Sequence, residues 1–103
     1  MEWYAKAAAQ GHAQAQFNLG IRYECGRGVA QDAALAVEWF AKAAAQGHAQ
    51  AQFNVGLCYE LGRGVAQDNA LAVQWHTKAA AQGIEPAVGA VARLTANASQ
   101  RTS

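Results

Sequence analysis

The sequence is poor in the residues that mark cross-linked proteins and serine enzymes. It holds one proline and two cysteines in 103 residues, and its only serines, Ser99 and Ser103, lie near the C-terminus. Two cysteines without a regular spacing are too few for a disulfide framework. Cys25 and Cys58 are therefore expected to be buried free thiols, without a redox or metal-binding role. The body of the chain has no serine nucleophile.

A charge excess and a long apolar segment are also missing. The formal net charge is +1, which leaves no basic surface of the kind that binds nucleic acid or an anionic membrane. No apolar run approaches the roughly 20 residues that span a bilayer, and the N-terminal segment MEWYAKAAAQ does not resemble a secretory signal. We expect no nucleic-acid or membrane partner. The location stays unknown; it is cytoplasmic if the chain is complete, since a missing upstream segment could carry a signal.

The sequence offers little for catalysis or for a cofactor. Asp32 and Asp68 stand where they would cap helices, and Glu24 and Glu60 are expected to be solvated neighbours without an acid–base role. The tripeptide GRG occurs twice, but it is too short for a phosphate-binding loop and lacks the Lys-Ser/Thr pair. We predict that the chain is not an enzyme and needs no cofactor.

The three histidines do not suggest a metal site. His12 and His48 are equivalent residues at the starts of two predicted helices, and neighbouring helices would hold them about 10 Å apart. That distance is too long for one metal ion. His76 replaces Phe40 in the second repeat and is predicted to be a semi-exposed packing residue.

The dominant feature of the sequence is an internal repeat of 36 residues. Residues 11–46 and 47–82 differ at only eight positions, and Trp3, Trp39 and Trp75 follow the same period. A repeat of this length is typical of helical hairpins that stack, because one hairpin cannot bury its own apolar face. The sequence predicts an all-α superhelix with one concave side, and the tryptophans are expected to carry much of the packing.

Apolar spacing and stop signals place two helices in each repeat. Gly26 is expected to end the first helix in the left-handed conformation, and Asp32 is expected to cap the second. The predicted helices span 13–25, 33–46, 49–61 and 69–82. Gly20 and Gly56 lie inside helices, where each costs about 1 kcal/mol relative to alanine. We expect them to admit a bulky neighbour such as Trp39.

The two ends of the chain are atypical. Residues 1–10 match the back half of a second helix, and 83–97 match a degenerate first helix with Pro86 in its first turn. A single solenoid domain, 1–97, with about six helices is predicted, followed by a polar tail, 98–103. Two explanations stay open: a piece of a longer solenoid, or a short chain that covers its exposed end by self-association.

The ordered repeat positions resemble the Sel-one-like repeat (SLR) family, a subgroup of tetratricopeptide-like solenoids. The resemblance covers about residues 2–92 and rests on Ala15, Leu19, Gly20, Tyr23, Gly26, Gly28, Val29, Asp32, Ala36, Trp39, Lys42, Ala43, Ala44 and Gly47, most of which are found again in the second repeat. It implies stacked antiparallel hairpins and an adaptor or scaffold role. Penicillin binding is reported for some secreted, cysteine-rich relatives, but this chain lacks their paired cysteines.

The resemblance also implies a binding face, because first helices line the groove of such stacks. The implied positions are Gln14, Phe17, Asn18, Ile21, Arg22, Cys25, Gln50, Phe53, Asn54, Leu57, Cys58 and Leu61. An asparagine amide can donate to and accept from an extended peptide backbone. Glutamines stand where carboxylate-clamping relatives carry lysine, so no acidic C-terminus is required. The two phenylalanines are either anchors or packing residues.

These observations predict a scaffold that binds a peptide or a partner protein on its concave face. The first alternative is a self-associating structural piece of a longer repeat protein, which would form a homo-oligomer through exposed terminal helices. The second is a penicillin-binding enzyme of the kind described for the cysteine-rich relatives. The sequence does not name the partner.

Overall fold

Five α-helices make up the described part of the chain. The structure is a computed structural model that describes residues 11–26 and 30–102, with side chains as far as residue 96. No strand occurs among these residues, and the helices are α1 (Ala13–Cys25), α2 (Ala33–Ala45), α3 (Ala49–Leu61), α4 (Asn69–Ala81) and α5 (Glu85–Thr102). The all-α prediction is confirmed. The half-repeat at 1–10 lies outside the described residues, so the predicted sixth helix is not among the five.

Consecutive helices pack against each other in chain order. α1 packs on α2, α2 on α3, α3 on α4 and α4 on α5. The Cα positions extend over 51 × 26 × 16 Å, which is the elongated form expected of a stack that grows in one direction. None of the helices in the described ranges combines the length and the apolar character needed to cross a membrane.

A repeated glutamine pair closes each hairpin. Gln46 Nε2, just after α2, donates to Gln16 Oε1 near the start of α1 at 2.6 Å. The equivalent bond in the second repeat joins Gln82 Nε2 to Gln52 Oε1 at 2.9 Å. Both acceptors belong to buried side chains. These bonds place the start of the first helix beside the end of the second, which is the antiparallel arrangement.

The predicted stop and start signals act as expected. Gly26 and Gly62 have φ angles of 73° and 70°, which is the left-handed conformation that ends α1 and α3. The carboxylate of Asp32 accepts from the Leu35 amide at 3.1 Å, and that of Asp68 caps α4 in the same way. α2 and α4 end one residue before the predicted 46 and 82.

The last helix, α5, extends beyond the predicted 97 to Thr102, into the segment predicted as a polar tail. No glycine or proline occurs between residues 98 and 102, so the sequence contains no signal that would stop the helix there. Pro86 lies in the first turn of α5, where the missing amide hydrogen has no cost.

The residue that packs against the helical glycine is Phe40, not Trp39. A Cβ atom built on Gly20 would lie 2.7 Å from Cδ1 and Cε1 of Phe40, which is fully buried. The glycine therefore lets α1 and α2 approach closely, as the sequence predicted, but with a different partner. The neighbouring ring at Trp39 is only half-buried.

Trp39 and Trp75 occupy matching but peripheral places in successive layers, and Trp3 lies outside the described residues. Lys42 Nζ lies 4.3 Å from the centroid of the Trp39 ring, and Lys78 Nζ lies 4.5 Å from that of Trp75. Both rings are half-buried, so they do not dominate the packing as expected. The largest fully buried side chains in the described residues are Phe40, Leu19, His76 and Val55.

Candidate binding surface

The twelve predicted groove positions lie on α1 and α3 and differ in exposure. Gln14, Gln50, Cys25 and Leu61 are exposed, and the Leu61 side chain reaches 58% exposure. Cys58 is buried and so does not line a surface. The remaining seven are half-buried: Phe17, Asn18, Ile21, Arg22, Phe53, Asn54 and Leu57. The first helix of each hairpin thus presents a partly open strip with amide and apolar side chains, which we call the first-helix strip.

In the first layer the amides of this strip are already engaged. Gln14 Nε2 donates to Asn18 Oδ1 at 3.1 Å. His48 Nδ1 accepts from the Ala51 amide at 3.1 Å, so its Nε2 carries the proton and donates to Gln14 Oε1 at 2.9 Å. Burial lowers the pKa of His48, which favours this neutral form. A helix-starting histidine thereby orients two amides of the neighbouring layer.

In the second layer the corresponding amides are open. The residue one repeat after His48 is Ile84, which has no polar group to offer. Gln50 is exposed and Asn54 is half-buried, and their side chains make no hydrogen bond with another described residue. The two layers therefore differ in hydrogen bonding at these positions within the described residues.

The phenylalanines of the strip take part in packing. Phe17 stacks on His48 with ring centroids 4.7 Å apart, and its centroid lies 5.7 Å from that of Phe40. Phe53 lies 5.2 Å from His76, measured between ring centroids. These contacts join helices within and between hairpins, and each phenylalanine keeps part of its surface open.

The expectation of two buried thiols holds for only one of the two cysteines. Cys25 is exposed at the end of α1, whereas Cys58 is buried in the core. Burial, with a smaller contribution from the Glu24 carboxylate, raises the pKa of Cys58 to about 11. The thiol of Cys58 is therefore protonated at neutral pH and a poor nucleophile.

The sequence interpretation missed a buried polar cluster at the end of the stack. Glu60, expected to be solvated, is 9% exposed, and its Oε1 lies 3.2 Å from His76 Nε2. Its Oε2 accepts a hydrogen bond from Arg93 Nη1 of α5. Arg93 keeps the pKa of Glu60 below its ordinary value, while burial lowers the pKa of His76. The prediction of a semi-exposed His76 is wrong, because the side chain is fully buried.

The 36-residue period contained the signal for this cluster. Glu24, Phe40 and Leu57 are the residues one period before Glu60, His76 and Arg93. In the first layer Glu24 Oε2 instead lies 3.7 Å from Arg63 Nη2, in the loop after α3. Reading the period into the degenerate last helix would have placed Arg93 near Glu60.

Stacked antiparallel hairpins with an open strip along their first helices define a tetratricopeptide-like helical-repeat solenoid. The pattern of the Sel1 repeat family matches residues 1–12, 13–48 and 49–84. These segments cover most of the chain, so the chain belongs to the Sel1 repeat family. No curated protein matches it significantly.

Three solved bacterial structures are similar to this chain. A Sel1 repeat protein from Oxalobacter formigenes is 43% identical, with a TM-score of 0.87 over 89% of this chain and 69% of its own. A protective antigen with an SLR fold, present in uropathogenic Escherichia coli strains, is 47% identical, with a TM-score of 0.83 over 84% and 19%. Cysteine rich protein B of Helicobacter pylori is 27% identical, with a TM-score of 0.82 over 85% and 66%. The chain spans about a fifth of the length of the second protein.

Proposed function

We propose that this chain is a protein-binding scaffold whose first-helix strip holds an extended peptide segment of a partner. The observation that carries the proposal is the open second layer on α3. There the side chains of Gln50 and Asn54 make no hydrogen bond with another described residue, and Leu57 and Leu61 lie on the same helix with apolar surface exposed.

This combination suits the chemistry of an extended peptide. Its backbone offers both donors and acceptors, and a primary amide can pair with each of them. Leu61 offers apolar surface for a side chain of the peptide. Neither Gln14 nor Gln50 carries a charge, so a peptide does not need an acidic C-terminus to bind in this way. The partner class is therefore an internal or neutral peptide segment with at least one apolar side chain.

The proposal can be tested by selecting peptides from a displayed random library against the intact chain. The affinity of a selected peptide would then be measured by calorimetry for the wild type and two variants. Asn54→Ala removes the open amide and should weaken binding roughly 2- to 10-fold, since one hydrogen bond contributes about 0.5–1.5 kcal/mol. Gln74→Glu is the matched control, because residue 74 is exposed on α4 and its equivalent in the first repeat is Glu38.

The control variant should bind the peptide as the wild type does. Asn18→Ala should have a smaller effect than Asn54→Ala, because Asn18 already accepts a hydrogen bond from Gln14. The proposal fails if no peptide is selected, or if Asn54→Ala and Gln74→Glu change the affinity equally.

A further inference from the structure

A buried ion and hydrogen-bond cluster joins three helices at the end of the stack. Glu60 from α3 contacts His76 from α4 through one carboxylate oxygen and Arg93 from α5 through the other. The His76 side chain is fully buried, while the side chain of Arg93 is 52% exposed. The carboxylate is thus the link between the second hairpin and the last helix.

The first repeat shows what this cluster replaces. At the three equivalent positions it has Glu24, Phe40 and Leu57, so the glutamate is kept while the histidine and the arginine are both new. An apolar ring at position 40 cannot titrate. At this position the second hairpin therefore has a side chain that can change charge near neutral pH, whereas the first hairpin has one that cannot.

Burial favours the neutral form of His76 and outweighs the opposite effect of the Glu60 carboxylate. Nε2 faces Glu60, and Nδ1 is buried without a hydrogen-bond partner. The ring also contacts two uncharged residues of α3, Gly56 and Phe53. The charged groups that influence His76 are Glu60 from α3 and Arg93 from α5. With a neutral imidazole their charges cancel, whereas protonation would add a positive charge and a buried donor at Nδ1 without an acceptor.

The last helix is weakly held apart from this cluster. Among its described side chains only Ala87, Ala90 and Leu94 are buried, and two of these are small. Gly89 stands where the earlier repeats have Phe17 and Phe53, and a Cβ atom there would meet nothing within 4 Å. The buried apolar contact of α5 therefore comes mainly from small side chains, and the contact of Arg93 with Glu60 adds a polar link to the second hairpin.

We propose that the cluster of His76, Glu60 and Arg93 is a proton-sensitive contact that keeps α5 docked on the second hairpin near neutral pH and loosens it on acidification. Protonation of the imidazole adds a second positive charge beside Arg93 and creates a buried donor at Nδ1 without an acceptor, so it disfavours the arrangement in which Arg93 is docked on Glu60.

The direction of the pH effect follows from linkage. Burial, with a smaller contribution from the charge of Arg93, lowers the pKa of His76 in the folded chain below the ordinary 6.5. Release of α5 removes the Arg93 charge, so the released state binds the proton more tightly, and docking is strongest above pH 6.5 and weakens as the pH falls below it. One histidine of this kind lowers the docking equilibrium by at most about tenfold between about pH 7.5 and about pH 5.5.

Hydrogen exchange of the full chain, followed by mass spectrometry and corrected for intrinsic rates, tests this. Between these two pH values the protection of α5 should fall up to about tenfold, and more than that of α2. His76→Phe installs the residue of the first repeat and should abolish this fall, while His48 still titrates as in the wild type. Should that variant not fold, His76→Gln keeps a donor for Glu60 and cannot titrate, so it should give the same result.

Two results would overturn the proposal. One is an α5 whose protection does not change with pH in the wild type. The other is an equal loss in the wild type and in the folded non-titrating variant, which would assign the effect to another group. Arg93→Leu, which copies Leu57, should lower the protection of α5 at both pH values; if it does not, the link to Glu60 does not hold the helix.

Discussion

His76 occupies in the second hairpin the place that Phe40 occupies in the first. Each ring is fully buried and rests on the glycine of the facing first helix, Gly56 for His76 and Gly20 for Phe40. Two repeats that differ at eight positions thus keep the same close approach of helices while changing the chemistry of the core. The first layer is held by an apolar contact, and the second by a contact that also forms hydrogen bonds and can titrate.

Because α1 and α2 approach closely at Gly20, an alanine at this position should destabilise the fold. An alanine at a glycine with open space around it should stabilise the fold. In Gly20→Ala the new methyl group would lie 2.7 Å from the Phe40 ring, which has no space to retreat because it is fully buried. The free energy of unfolding should fall by up to about 2 kcal/mol, since overpacking costs about 1–3 and the gain in helix propensity offsets about 1. Urea denaturation followed by circular dichroism measures it.

Gly89→Ala is the matched control in another helix. Its Cβ atom meets nothing within 4 Å, so only the gain in helix propensity remains. We expect this variant to raise the free energy of unfolding by about 0.5–1 kcal/mol. If both variants shift the denaturation midpoint in the same direction, the glycine at position 20 is not required by packing.

The helices could be predicted from the sequence because their ends carry local chemistry. Gly26 supplies a left-handed φ and Asp32 supplies a carboxylate to free amides, and both effects depend on a few neighbouring residues only. The first and third helices accordingly span the predicted residues. The C-terminal end of α5 is predicted less accurately, because the sequence after residue 97 contains no stop signal that marks where the helix ends.

The partners across helices were harder to predict. Residues 39 and 40 are adjacent, and a period near 3.6 cannot decide which of them faces Gly20. His76 and Glu60 were expected at the surface because single polar side chains favour it. Glu60 also pairs with Arg93, a residue of a helix whose sequence has diverged from the repeat. The open amide of Asn54 likewise depends on Ile84, which is 30 residues away in the chain.

The two cysteines should react with alkylating reagents at different rates, because their environments differ. Cys25 is exposed, whereas Cys58 is buried with a pKa raised to about 11. In native protein at about pH 8, iodoacetamide should alkylate Cys25 at least about a hundredfold faster than Cys58, because the thiolate is the reactive form and Cys58 is also inaccessible. Mass spectrometry of timed samples resolves the two sites.

Unfolding should remove this difference. In denaturant both cysteines should react at similar rates, and Cys25→Ser should leave a native chain that is alkylated only slowly. Fast alkylation of Cys58 in that native variant would show that the core around α3 opens readily, contrary to the buried position described above.

Two glycines in the loop after α3 allow the cost of backbone strain to be measured apart from the cost of disturbed packing between layers. Gly62 and Gly64 both have positive φ angles, 70° and 76°. A Cβ atom on Gly62 would have Gln67 Cβ as its nearest neighbour at 3.5 Å, whereas one on Gly64 would overlap the carbonyl of Ala33, whose carbon lies 2.6 Å away.

Gly62→Ala should therefore lower the free energy of unfolding by about 1–2 kcal/mol through strain alone. Gly64→Ala has the same strain and also displaces the loop from the start of α2, so it should cost about 1–3 kcal/mol more. Urea denaturation of the two variants measures the difference, and equal midpoints would mean that this loop does not rest on the preceding layer.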